Sequence, residues 1–341
     1  MATVTPFTTT LASTSSQLFY RKAMLGVWGK TTIFGRFAKR EPMPPNSGMT
    51  ITFRYFDPLT PPTSSITEGT VPDSNTPTLN ELSATLAEEG DYIPVTDQVG
   101  VFDAHGELLI SAKSASNIML LSQDLNERLD TITRDILTAG TNVYYSGAPN
   151  VTARTGVAAS NKVRVDDFRA IVRYFRQQNV KPIAPLISAA VGVGTTPIGA
   201  SYIAFIGPET LHDVEQLDGY IGTHKYPNPA MAYPNEVGAL PDIGIRFLLT
   251  TNNKTFSSTI TVHATIVIGQ DAYGEPYIDS APGQLENSTP DRFKIIAKPF
   301  GSAGTDDPLD QIATLGWKVM GFTAKRLREV AMYRYEHAVS S

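Results

Sequence analysis

The chain has 341 residues, 41% of them hydrophobic and 18% charged, with a net charge of −5, a mix that can bury a large core and fill two or three lobes. It has no cysteine, which excludes disulfides, thiolate metal sites and thiol nucleophiles. No apolar run approaches the roughly eighteen residues of a membrane span, and Met1 to Thr10 lack the charged-then-apolar order of an export signal, so synthesis in the cytoplasm is expected.

Residues 1–40 carry Arg21, Lys22, Lys30, Arg36, Lys39 and Arg40 and no acid, and the first half of this stretch is rich in Thr and Ser without periodicity. That composition predicts an extended basic arm, 1–46, that orders only against something else. A Pro-rich join leads to Thr50–Phe56, where Ile51, Phe53 and Tyr55 alternate with Thr50, Thr52 and Arg54 as on a strand. A return strand is expected at 79–86, and the polar, Pro-broken stretch between them is too long for an ordinary loop of a compact domain. The segment 47–90 therefore reads as a projecting hairpin with a large tip. From Asp57 to Asp103, across the hairpin and past its end, the chain is acidic: Asp57, Glu68, Asp73, Glu81, Glu88, Glu89, Asp91, Asp97 and Asp103 come with no Lys or Arg between Arg54 and Lys113. A basic arm beside an acidic hairpin suits a contact between copies as well as one with nucleic acid. The candidates for that contact are Arg36, Lys39 and Arg40 on the arm and Arg54, Glu68, Asp73, Glu81, Glu88 and Glu89 on the hairpin.

Ile118, Leu121, Leu125, Leu129, Ile132 and Ile136 then recur every three or four residues, placing all six in one stripe of a helix. Gln123, Asp124, Glu127, Asp130 and Arg134 fall on the opposite, wet face, with Asp124/Arg128 and Asp130/Arg134 spaced for i,i+4 pairs. With Asp103 as cap and Gly140 as stop, the helix is expected to reach about 35 residues, a rod of roughly 50 Å. Its 3.6-residue period favours packing on a sheet over a coiled coil. Residues 91–145 hold this rod. From 146 to 290 the elements shorten into a mixed lobe. It has an amphipathic helix through Phe168, Ile171, Val172 and Phe175, strands at 202–207, 243–250 and 260–268, a short helix opened by Pro208, and a long exposed loop at 218–241. Residues 291–341 return to sheet at 293–298, 315–323 and 329–337, three strands on which the rod can pack.

Catalytic constellations are missing. His105, His212, His224, His263 and His337 show no metal-ligand spacing, Gly29-Lys30-Thr31 lacks the first glycine and the preceding strand of a phosphate loop, and no serine elbow occurs. Neither a cofactor nor a metal site is expected.

In this order of elements, and in Thr67–Pro72 (TEGTVP), Gly90–Asp97 (GDYIPVTD), Tyr202–Gln216 (YIAFIGPETLHDVEQ) and Asp307–Ala338 (DPLDQIATLGWKVMGFTAKRLREVAMYRYEHA), the chain resembles the major capsid proteins of tailed double-stranded-DNA phages. More closely it resembles a podophage family within the Hong Kong 97-type fold. The resemblance implies an α+β subunit with an N-terminal arm, an E-loop hairpin, a peripheral domain with a spine helix, and an axial domain. It also implies assembly into hexamers and pentamers of an icosahedral shell, with a portal and a possible decoration protein. Residues 1–40 lack the charged helical pattern of a built-in scaffold, so a separate scaffolding protein is expected, and the net charge of −5 makes weak, nonspecific contact with packaged DNA the expectation. Some shells of this fold are welded by an isopeptide bond from a hairpin lysine; with no lysine between Lys39 and Lys113, that weld is unavailable here. An encapsulin-like nanocompartment shell and a soluble hydrolase are the rival readings.

Overall fold

The structure, a computed structural model, describes residues 29–43, 48–63, 65, 67–69, 71, 74–97, 115–188, 197–278, 293–302 and 307–340. The long helix spans Ala115–Thr138. Residues 103–114, which the sequence assigns to its first turns, lie outside the described residues, as does the side chain of Ile118.

The first half of this helix lies on a three-stranded antiparallel sheet ordered β13 (Phe293–Lys298), β14 (Ile312–Phe322), β4 (Ala87–Thr96). Leu121 and Leu125 of the stripe are buried against Leu315, Trp317, Val319 and Phe322, with Leu129, Ile132 and Ile93 at the margin. Leu315, Trp317 and Val319 alternate along β14 because successive strand side chains point to opposite faces, and an irregularity between Val319 and Phe322 returns Phe322 to the same core. Asp124 accepts a hydrogen bond from the Trp317 indole at 2.8 Å, fixing helix against sheet.

The lobe is built on a mixed sheet ordered β5 (Val143–Tyr145), β16 (Met332–His337), β11 (Thr261–Ile268), β6 (Tyr202–Ile206), β9 (Ile245–Leu249), β8 (Glu236–Leu240), β7 (Ile221–Gly222), with β10 (Thr255–Ser257) beside β11. Both faces are covered, which is why all five residues of β6 are buried. Tyr202, Ala204 and Ile206 face the helix Val165–Gln177, meeting Phe168, Ile171, Val172 and Phe175. Ile203 and Phe205 face the other way, onto Ile33 and Phe34 of the arm, and Leu137 at the end of the long helix joins this second core. The long helix thus straddles two sheets.

Three expectations are corrected. Of the tail strands, β14 carries the helix while β16 runs inside the lobe sheet, paired with β11 from His263↔His337 to Ile268↔Met332. The strand that completes the small sheet is β4, which crosses the expected boundary at residue 90 between hairpin and rod. The stretch 218–241 is no plain loop, for it contains β7 and β8, and Gly238, Ala239 and Leu240 are buried.

The β11–β16 pairing brings together two histidines that are remote in sequence. His263 and His337 stack with ring centroids 6.5 Å apart, and His337, fully buried, shares a 2.9 Å hydrogen bond with the Thr265 hydroxyl. Burial, with His263 adding to it, depresses the His337 imidazole to about 4. The folded protein therefore keeps His337 neutral, whereas the unfolded chain takes up a proton near pH 6.5, so this stability is complete above about pH 6.5 and is lost as pH falls toward 4. At roughly 1.4 kcal/mol per pH unit, the loss reaches about 3 kcal/mol. Urea unfolding between pH 7 and pH 4 should show this decline, and His337→Gln should flatten it.

Candidate subunit-interface site

The arm ends in a short 3-10 turn, Phe34–Phe37, and a strand, β1 (Lys39–Met43), that runs parallel to β12 (Tyr273–Ile278). Together with β15 (Lys325–Arg326), they form a third sheet. The last part of the arm therefore orders on its own subunit. Gly274 lies at the crossing: a Cβ there would stand 3.2 Å from both the Lys39 carbonyl and the Phe53 ring.

What fixes the arm is a buried polar junction. Asp130, read from the helical wheel as wet, is 5% exposed. Its carboxylate accepts a hydrogen bond from the Phe34 amide at 2.8 Å and one from the Asn252 side-chain amide at 2.9 Å. Arg134 donates to the Asn252 side-chain carbonyl at 2.7 Å, and Thr133 to Glu275 of β12 at 2.8 Å. Burial pushes the Asp130 carboxyl up, and the bonds from Asn252 and Phe34 pull it back. The two expected helical ion pairs do not form: Arg128 turns to Glu89 at 2.9 Å and Arg134 to Asp135 at 2.9 Å. The Gly29-Lys30-Thr31 stretch belongs to the same tie, since the Lys30 amide donates to Glu127 at 2.9 Å and the Thr31 amide to Thr251 at 2.7 Å. It is a structural strap, with its amide donors committed to protein acceptors.

The hairpin forms as its alternation demands: β2 (Thr50–Phe56) pairs with β3 (Leu79–Thr85) from Thr50↔Thr85 to Phe56↔Leu79. Its base is anchored where Phe53 and Ala84 bury against Leu327 and the Arg328 guanidinium sits 5.1 Å from the Tyr55 ring centre. Phe56, Leu59 and Val71 are exposed, Val71 at 96%.

The structure scatters the candidate contact residues. Arg36 donates to the Pro234 carbonyl at 2.9 Å and Lys39 pairs with Glu41 at 3.4 Å, while Arg40 is exposed on β1. Arg54 and Glu81 pair across the hairpin at 2.8 Å. Glu88 meets Lys318 at 2.7 Å and Glu89 meets Arg128, so these two acids tie β4 within the subunit. Glu68 is exposed at the tip, and Asp73 lies outside the described residues. Asp130 and Asn252 escaped sequence reasoning because their partners are remote in the chain.

Among the described residues, no group of three or more His, Asp or Glu side chains is placed to hold a metal, and no helix is long and apolar enough to cross a membrane. A comparison with protein-family models found no match, and neither did one with curated proteins. Solved structures do match along nearly the whole chain. The capsid of Ralstonia phage GP4 aligns over 100% of this chain and 99% of its own with a TM-score of 0.66 at 13% identity. This is the Hong Kong 97-type capsid fold. The cyanophage Pam1 capsid aligns over 98% and 99% with a TM-score of 0.62 at 11% identity, and that of cyanophage P-SCSP1u over 97% and 95% with 0.58 at 13%. In the vocabulary of that fold, the hairpin is the E-loop and the long helix the spine.

The junction gives a direct test. Asp130→Ala strands the Phe34 amide and the Asn252 amide, each worth roughly 1–3 kcal/mol when left buried and unpaired. Unfolding in urea should show a loss of about 2–4 kcal/mol, and trypsin should cut after Arg36 in the folded variant much faster than in the parent. Asp130→Asn, which keeps one acceptor oxygen, should lose less.

Proposed function

We propose that the chain is a phage major capsid protein whose copies assemble into an icosahedral shell enclosing double-stranded DNA, located in the virion, with a structural and not a catalytic role. The observation that carries this reading is the E-loop: a two-stranded hairpin anchored at its base, with apolar residues exposed toward its tip. An isolated hairpin is marginal in water, and such residues gain burial when another copy covers them. The match to capsid subunits over whole chain lengths supports the same reading. In it, copies group as hexamers and pentamers, a scaffolding protein and a portal are separate chains, and a decoration protein is a possible addition to the outer surface. An encapsulin-like shell shares the geometry, and DNA-filled particles distinguish the two.

Arg36 donates to Pro234 and Lys39 pairs with Glu41 within the subunit; because the Lys39 pair is exposed and worth little in water, Lys39 and Arg40 are the described arm charges that this reading sets against an acidic hairpin tip of a neighbour. Opposite charges of this kind steer and register a contact over about 8 Å in physiological salt. Lys39→Glu combined with Arg40→Glu should slow shell assembly, followed by light scattering, while leaving the urea midpoint of the subunit unchanged.

Electron microscopy of the purified chain, with and without a scaffolding protein, tests the proposal: closed particles are expected, and a monomer under every condition would overturn it. The hairpin carries no lysine and the chain no cysteine, so the shell is held by noncovalent contacts. Mature particles boiled in detergent should run as one band near 36.9 kDa, and a ladder of multimers would show a covalent weld from elsewhere.

A further inference from the structure

The net charge of −5 conceals a basic stretch inside the lobe. Lys162, Arg164, Arg169, Arg173, Arg176 and Lys181 share twenty residues with only Asp166 and Asp167, and Asp167 is buried under the Tyr335 hydroxyl at 2.7 Å. Arg169, Arg173 and Arg176 stand at i, i+4 and i+7 of the helix Val165–Gln177, so they share one face. The rise of 1.5 Å per residue spaces them by about 6 Å and then about 4.5 Å. With Gln177, the exposed Asp242 and the buried Val172 and Ile243, they line a groove of about 420 Å³.

The three guanidiniums differ in commitment. Arg169 pairs with Asp166 at 2.9 Å on the exposed surface, a contact worth little in water. Arg176 gives one donor to the Ile243 carbonyl at 3.1 Å. Arg173, exposed, makes no hydrogen bond or ion pair with the described residues. Asp242 lines the groove and Asp166 pairs with Arg169, so three positive charges face two negative ones and the excess sits at Arg173 and Arg176.

We infer that this arginine face contacts the phosphate backbone of nucleic acid, and so marks where the lobe meets packaged DNA; the identity of that polyanion rests on the capsid reading. Two features favour phosphate over a second copy of the chain. The face offers donors without an apolar centre, since no large hydrophobic residue of this helix is exposed, whereas protein interfaces bury an apolar core. Arginine also grips phosphate with two parallel donors, and a row of such contacts reads no sequence, as DNA that must slide requires. With only three phosphates engaged, the contact is weak and strongly dependent on salt.

The test is fluorescence anisotropy of a short duplex DNA with the unassembled subunit, from about 25 to 150 mM salt. Three neutralised phosphates give a slope of log affinity against log salt of about −2.7, and Arg169→Gln with Arg173→Gln should bring it to about −0.9. Arg173→Lys, which keeps the charge, should stay near the parent slope, and circular dichroism should show all variants folded. Equal affinity and slope in parent and double variant would overturn the proposal. So would a double variant that binds duplex normally but no longer assembles, which would make this face a contact between copies. If no shells form under any condition while the slopes change as stated, the phosphate site stands and the capsid reading falls.

Discussion

The structure depends on one buried carboxylate. Asp130 sits on the spine helix and accepts hydrogen bonds from the arm at Phe34 and from the lobe at Asn252, three segments that no local pattern would bring together. A buried carboxylate without donors is costly, and amides stranded beside it are costly too, so the three segments hold or come apart together. The surrounding bonds repeat the logic: Thr133 reaches Glu275 beside the arm strand, and Arg134 reaches Asn252 from the next turn. Apolar packing supplies most of the free energy on both sheets, but it is non-directional. The polar junction sets which turn of the helix faces which part of the lobe.

The consequence, among the described residues, is a packed body that carries a hairpin anchored at its base. The hairpin is held at its base by Phe53, Ala84 and Leu327, and its exposed Arg54–Glu81 pair adds little in water. Packing and polar ties fix the body, while Phe56, Leu59 and Val71 leave the hairpin open toward its tip. The arginine face of the lobe is a second unfinished surface of different chemistry, polar where the hairpin tip is apolar.

Much of this was legible from short-range pattern. The alternation Ile51, Phe53, Tyr55 yielded the hairpin strand, and Phe168, Ile171, Val172 and Phe175 yielded a helix whose buried face is those four residues together with Asp167. What stayed hidden was long-range. A helical wheel placed Asp130 in water because it registers only the helix's own stripe, while the donors that bury it lie 96 and 122 residues away. The sequence KREPM carries three charges and a proline and does not look like a strand, yet its backbone pairs with β12 through parallel bonds from Lys39↔Gly274 to Met43↔Ile278. The Gly and Pro content of 218–241 suggested a loop because turn residues flank a strand, Glu236–Leu240, too short to show its own period. Of the contact residues chosen by charge, Glu88 and Glu89 proved to be internal ties, since charge alone does not say whether a partner is in the same copy or the next.

The claim that Asp130 secures the arm within its own subunit is tested most directly by electron cryomicroscopy of assembled particles at a resolution that traces the backbone. The account predicts continuous density from residues 33–43 onto the spine helix of the same copy, with the Phe34 amide against Asp130 in every subunit of the shell. Density showing those residues crossing to the helix of a neighbouring copy, with Asp130 holding another subunit's arm, would contradict it.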